Sequence, residues 1–191
     1  MGKKRVVYVK RRERLPNDGM VKFFDRERTI VISGTIKMKM LHHVARALWA
    51  LQNKNPIRPI FFVIKSSPGG DVIAALMIAA LLRNAVVPIT TYIEHLAASS
   101  AVFVFLAGRK RAMARNARLV IHPARVGIQI CPAKDQRVVD YFPKVINRWL
   151  VVELRFAARM DKNCATKILG TGCSLSTHEA LKLHFATHHI A

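Results

Sequence analysis

Three short β-branched runs alternate with stretches of helical periodicity, and this alternation constrains the fold more than any other feature. Thr29 to Ser33, Ile60 to Ile64 and Ile89 to Ile93 read as strands. Between the first two, Met40, Leu41, Val44, Ala47, Leu48 and Leu51 recur at helical spacing over Met38–Asn53, before Pro56 and Pro59 break the pattern. Between the second two, Asp71–Arg83 is apolar on nearly every face, which predicts a helix sandwiched inside the fold with Asp71 favourably placed at its N-terminus. Strands separated by helices predict a mostly parallel α/β sheet. In such sheets the chemistry collects where strands end.

What stands at those ends is chemically pointed. Ser66-Ser67-Pro68-Gly69-Gly70 follows one strand, and Ala97-Ala98-Ser99-Ser100-Ala101 follows the next. His122 closes a third apolar run, Leu119-Val120-Ile121. A serine nucleophile needs a base to take its proton, and a histidine at a neighbouring strand end supplies one. The developing oxyanion needs main-chain N–H donors, which a Gly-Gly turn can bring close. Ser99 is therefore the candidate nucleophile and His122 the candidate base. Gly69 or Gly70, together with Ser100, are the candidate oxyanion-hole donors.

These segments resemble the ClpP-type serine peptidases of the ClpP/crotonase superfamily. Ile64 to Gly70 is similar to that family's strand and Ser-Pro-Gly-Gly turn, Ala97-Ala98-Ser99 to its nucleophile segment, and Arg118 to Pro123 to its histidine strand. Ser176-Thr177-His178-Glu179-Ala180-Leu181 is similar to its C-terminal Ser-x-x-Glu-Ala helix start. The resemblance runs from about Phe24 to about Leu183. It implies a ββα superhelix with a protruding handle helix, and a ring-shaped chamber of identical or related subunits. It also implies an AAA+ unfoldase ATPase as partner and protein or peptide substrates.

The chain departs from the family pattern at three places. Gly172 falls where the resemblance puts the catalytic Asp, and the neighbouring Thr171, Cys173 and Ser174 are not acidic either. Asp161 and Asp140 are the more distant carboxylates left to take its place. His95 stands where the family has Gly, so it is expected to crowd the specificity pocket or perturb His122. The short spacing from Ser99 to His122 implies a trimmed turn around Arg109–Arg115.

The remaining stretches define organisation. Residues 1–20 read as a basic arm with a Pro16-Asn17-Asp18-Gly19 turn, and 21–191 as a single domain. Gly127 to Pro132 is irregular, and Lys134 to Met160 is one long helical stretch that Pro143 should kink or restart. The resemblance makes this region the handle, which interlocks two stacked rings. Ser176 and Glu179 form a capping box for a final helix.

Composition excludes several classes. At 51% hydrophobic the 191-residue chain is not disordered, and no apolar stretch reaches the roughly 18–20 uncharged residues of a membrane span. Its basic start is followed by no long apolar run, and Val6 stands where a myristoylation site needs Ser or Thr. Three cysteines without a Cys-x-x-Cys pair argue against a disulfide framework or zinc site and for a reducing compartment, the cytoplasm or an organelle matrix or stroma. His178, His184, His188 and His189 lack a His-Glu-x-x-His pattern and read as a solvated tail, so no metal or cofactor is expected. No Walker A pattern is present, so ATP hydrolysis would belong to a partner.

The net charge is +21, with one basic cluster in the arm and a second in Arg109, Lys110, Arg111, Arg115 and Arg118. Without a base-reading module, a solvated basic surface or an acidic protein partner fits such charge better than nucleic acid. Three alternatives to a peptidase stay open on sequence alone. They are a catalytically degenerate structural ring subunit, a crotonase-like acyl-CoA enzyme and a nucleic-acid-associated protein on the same scaffold.

Overall fold

The computed structural model describes residues 19–124 and 136–189. Residues 1–18 of the basic arm, Cys131 and the irregular 127–132 stretch lie outside the described residues. The elements run β1 (Met20–Phe24), β2 (Thr29–Ser33), α1 (Met38–Lys54), β3 (Ile60–Ser67), α2 (Val72–Arg83), β4 (Ile89–Ala98) and α3 (Ala101–Leu106). They continue through β5 (Lys110–Met113), β6 (Arg118–Ile121), α4 (Gln136–Ala158), α5 (Lys162–Thr171), β7 (Cys173–Ser176), α6 (Thr177–Lys182) and β8 (His188–His189).

All eight strands join one sheet. β2, β3, β4 and β5 pair in parallel in that order, as helices between consecutive strands require, and β1 adds an antiparallel edge. β4 is the branching strand. Its first half, Thr90–Ile93, pairs with β5, while Leu96–Ala98 pairs with β6. Between these halves the register against β3 slips, so that Lys65 alone faces Glu94 and His95. β7 runs antiparallel to β6 and sets Cys173 opposite Ile121.

Alternation along the strands decides which sheet face is covered. Ile30 and Ile32 on β2, Ile60, Phe62 and Ile64 on β3, and Ile89 and Ile93 on β4 are buried. They meet Met40, Val44 and Leu51 of α1, Ala74, Ala75 and Ile78 of α2, and every residue of α3 in one core. The intervening Phe61 remains 45% exposed, so the opposite face is partly open. Buried Arg28 closes one end of the core. Its guanidinium donates to the carbonyls of Leu51, Asn55, Arg58 and Pro59, gathering the end of α1 and the start of β3.

The structure refines several expectations. Within Arg109–Arg115, read as a turn, Lys110–Met113 pairs with β4 as a strand. The C-terminal histidines are not a free tail: His188 and His189 form β8, which pairs with β5. Pro143 starts no second helix, since α4 is continuous through it. The helix after the candidate nucleophile spans Ala101–Leu106. Among the described residues no helix is long and apolar enough to cross a membrane, and no three His, Cys, Asp or Glu converge on a metal-sized site.

Candidate active site

Ser99 sits on a sharp turn between β4 and α3 with a backbone φ of +55°, the left-handed region a serine rarely adopts. Its N–H donates to the Val120 carbonyl at 2.9 Å, continuing the β4–β6 ladder one residue past the paired strands. Its carbonyl then accepts from the Val102 N–H and starts the helix. A conformation costing about 1–3 kcal/mol is thus held from both sides. The serine is half-buried, and no hydrogen bond reaches its Oγ among the described residues.

The Gly-Gly turn packs directly against that serine. A Cβ on Gly69 would stand 2.6 Å from the Ser99 Cβ and 2.7 Å from the Ala98 carbonyl oxygen, so only glycine fits. Gly69 and Gly70 both have positive φ, +94° and +139°. Asp71 caps α2 through the Ala74 N–H, which fixes the exit of the turn.

Hydrogen bonding separates the two glycines. The Gly69 N–H is taken by the Ser67 hydroxyl, which itself donates to the Gly34 carbonyl at 2.8 Å. The Gly69 carbonyl accepts from the Ile36 N–H at 2.8 Å. The peptide joining Gly69 to Gly70 is trans, so the Gly70 N–H points the opposite way, away from Ile36. It has no partner among the described residues, and neither has the Ser100 N–H. Ser100 Oγ donates to the Gly70 carbonyl at 3.2 Å and ties the two donor segments together. Of the two glycines named from sequence, Gly70 is the one with a free donor.

His122 follows β6, beside β4, and adjacent strands run about 4.8 Å apart. Its Nδ1 lies 2.9 Å from the Pro123 carbonyl. A carbonyl only accepts, so this contact requires the proton on Nδ1 and leaves the Nε2 lone pair free to act as a base. Asn147 of α4 braces the segment beyond by accepting from the Ala124 N–H at 2.7 Å. Ser99 and His122 are not hydrogen-bonded to each other in this structure, a looseness common in unliganded sites. Neither the Pro123 carbonyl nor Asn147 was readable as part of the site: the first is a main-chain acceptor with no residue signature, and Asn147 lies 23 residues from Ala124 in sequence.

Gly172 lies against His122. A Cβ there would be 3.9 Å from the His122 Cβ and 3.3 Å from the Ile121 carbonyl oxygen. The position where the resemblance expects a carboxylate is therefore next to the Cα and Cβ of His122. Among the described residues no carboxylate pairs with His122. Asp161 instead caps α5 through the Cys164 N–H, the bond that chiefly holds its carboxyl below the usual range. The Asp140 side chain lies outside the described residues. Burial pushes the neighbouring Cys173 thiol up, so it stays protonated and is no rival nucleophile.

His95 does not crowd the site. The register slip turns it outward, where it is exposed beside Glu94 at 3.4 Å, and its φ is not positive.

Comparison with known proteins follows the same segments. The sequence model of the Clp protease family matches residues 12–145. The ATP-dependent Clp protease proteolytic subunit 2 of Treponema pallidum (strain Nichols) is 34% identical over 108 residues, 56% of this chain and 54% of that protein. The ATP-dependent Clp protease proteolytic subunit 1 of Chlamydia pneumoniae is 32% identical over 102 residues, 52% of this chain and 53% of that one. The chain thus spans about half the length of the curated relatives it matches. A solved ClpP1 variant from Listeria monocytogenes superimposes with a TM-score of 0.73 at 23% identity, covering 86% of this chain and 92% of the other. That likeness establishes the shared fold.

Proposed function

The chain belongs to the Clp protease family, and from that premise we propose that it is a serine endopeptidase subunit of a ring-shaped chamber. The observation carrying this reading is the contact of Gly69 with Ser99, which sets a strained serine beside two unpartnered main-chain donors.

Ser99 Oγ attacks the scissile carbonyl while His122 Nε2 takes its proton. The oxyanion is received by the N–H groups of Gly70 and Ser100. The imidazolium then protonates the leaving amine, and water releases the acyl group by the same steps in reverse roles. The Pro123 carbonyl supplies one function of a triad acid, fixing the tautomer. It carries no full negative charge, so it stabilises the imidazolium less than a carboxylate does. Losing a triad carboxylate typically costs about 10⁴ in turnover, and reduced intrinsic activity follows for this site.

The peptidase domain takes up residues 21–191, with residues 1–20 as a basic arm that meets an acidic protein surface. Partners are identical or related ring subunits and an AAA+ unfoldase ATPase, and the substrates are unfolded polypeptides. The half-buried free thiols of Cys164 and Cys173 support a reducing compartment, the cytoplasm or an organelle matrix or stroma.

One observation favours a second reading, a catalytically degenerate structural ring subunit: Gly172 beside His122. Cleavage of a fluorogenic peptide by the purified chain separates the two. The peptidase reading expects slow turnover abolished by Ser99→Ala, and turnover indifferent to Ser99→Ala would leave only the structural role.

A further inference from the structure

Away from the serine, the end of α4, the start of β5 and the turn after α6 enclose a cleft of about 470 Å³. Its polar wall holds three guanidinium groups: Arg109, Arg111 and Arg159 line it together with His184 and Thr187, and no acidic residue does. Its size falls in the roughly 300–1,000 Å³ range of small-molecule sites, which are usually apolar, so this lining is unusual.

The cations are not equivalent. Arg111 is structural, donating from Nε to the Phe185 carbonyl at 2.6 Å, from NH1 to that of Gly108 at 3.3 Å, and from NH2 to those of Ala157 and His184 at 2.9 Å each. Burial, and then the charge of Arg159, lower its pKa, so the wall already holds more positive charge than it balances. The side chains of Arg109 and Arg159 are exposed and make no ion pair or hydrogen bond among the described residues. Arg159 and His184 both occupy left-handed backbone, with φ of 52° and 60°, so the turns carrying them are defined rather than loose. Asp161, two residues beyond Arg159, is engaged in capping α5 and does not line the cleft.

Like charges gathered in a concavity repel one another, and a bound anion relieves this. Guanidinium forks match the oxygens of phosphate groups, and two free forks lining one cleft suit a chain of phosphates better than a single one. We propose that this cleft binds a small oligophosphate anion between Arg109 and Arg159, with His184 as a further donor. This assignment is independent of the serine site.

The test is isothermal titration of the full chain with inorganic tripolyphosphate at physiological ionic strength. Saturable binding of one anion per chain is expected. Arg109→Gln and Arg159→Gln should each weaken it about tenfold, the scale of one charge-assisted contact. Arg159→Lys should lose less, and Lys39→Gln, an exposed change on α1 outside the cleft, should lose nothing. A nucleoside triphosphate arm identifies the source: tighter binding than tripolyphosphate marks a nucleotide, and equal or weaker binding marks the free oligophosphate. Absence of saturable binding overturns the proposal. So does a loss in Lys39→Gln equal to that in the arginine variants, or monophosphate binding as tightly as tripolyphosphate.

Discussion

Gly172 and His122 are packed together, with the position of a missing Cβ on the first 3.9 Å from the Cβ of the second. The family resemblance expects a carboxylate at this position, and on the proposed function it would steady the imidazolium. Gly172→Asp should raise labelling of Ser99 by a fluorophosphonate probe. It should also lower Tm, because φ +70° and ψ 154° suit glycine alone and cost another residue about 1–3 kcal/mol. Added formate, which brings a carboxylate without that strain, should raise labelling of the native chain at constant ionic strength. No gain from either treatment would mean that another group already serves His122.

Gly69→Ala should be severely destabilising. The added methyl meets Ser99 Cβ at 2.6 Å and main-chain oxygen at 2.7 Å, at a φ of +94°. Overpacking and backbone strain together amount to about 3 kcal/mol or more. Chemical denaturation measures the loss, and an alanine variant of native stability would show that the turn can move away from the serine.

The apolar side chains left on α4 predict association. Tyr141, Trp149, Val152 and Phe156 are 66%, 57%, 44% and 82% exposed, more apolar surface than one helix of a monomer normally shows. Light scattering should give a mass several times 21.5 kDa. Trp149→Glu combined with Phe156→Glu should shift the protein to smaller species, and a stable native monomer at micromolar concentration would contradict this.

Much of this architecture was legible because local signals agreed. Thr29–Ser33 is a β-branched run closed by a glycine, Asp71 caps the apolar α2 it precedes, and Ser176 with Glu179 forms the capping box its spacing suggests. Ser99, His122 and the two glycines stood out because each ends a strand. β1, β5 and β8 were not legible. β1 is an edge strand with three exposed residues, β5 opens with Lys110 and Arg111, and β8 has only two residues. What makes Arg111 a wall of the fold is its hold on carbonyls as far as 74 residues away, which no local pattern encodes. His95 was misjudged for a related reason, since a bulge is a property of two strands together.

Acid should weaken the α6 cap in a defined direction. The Ser176 hydroxyl, and then the Ser176 N–H, donate to the Glu179 carboxylate and hold it below its ordinary 4.5. A carboxyl depressed by folding stabilises the fold above its unfolded value, and that contribution is lost as pH falls through the folded value. The Tm difference between the native chain and Glu179→Gln should therefore be largest at neutral pH and vanish well below 4.5. A difference unchanged at acid pH would assign the effect to packing alone.

The most direct measurement is covalent labelling by a fluorophosphonate, followed by peptide mass mapping. The account predicts slow, stoichiometric modification of Ser99 that is lost in Ser99→Ala and strongly reduced in His122→Ala, with Ser100→Ala labelled as before because its main-chain N–H is retained. Modification of another residue, or labelling of Ser99 at the same rate without His122, would contradict the assignment of Ser99 as a nucleophile activated by His122.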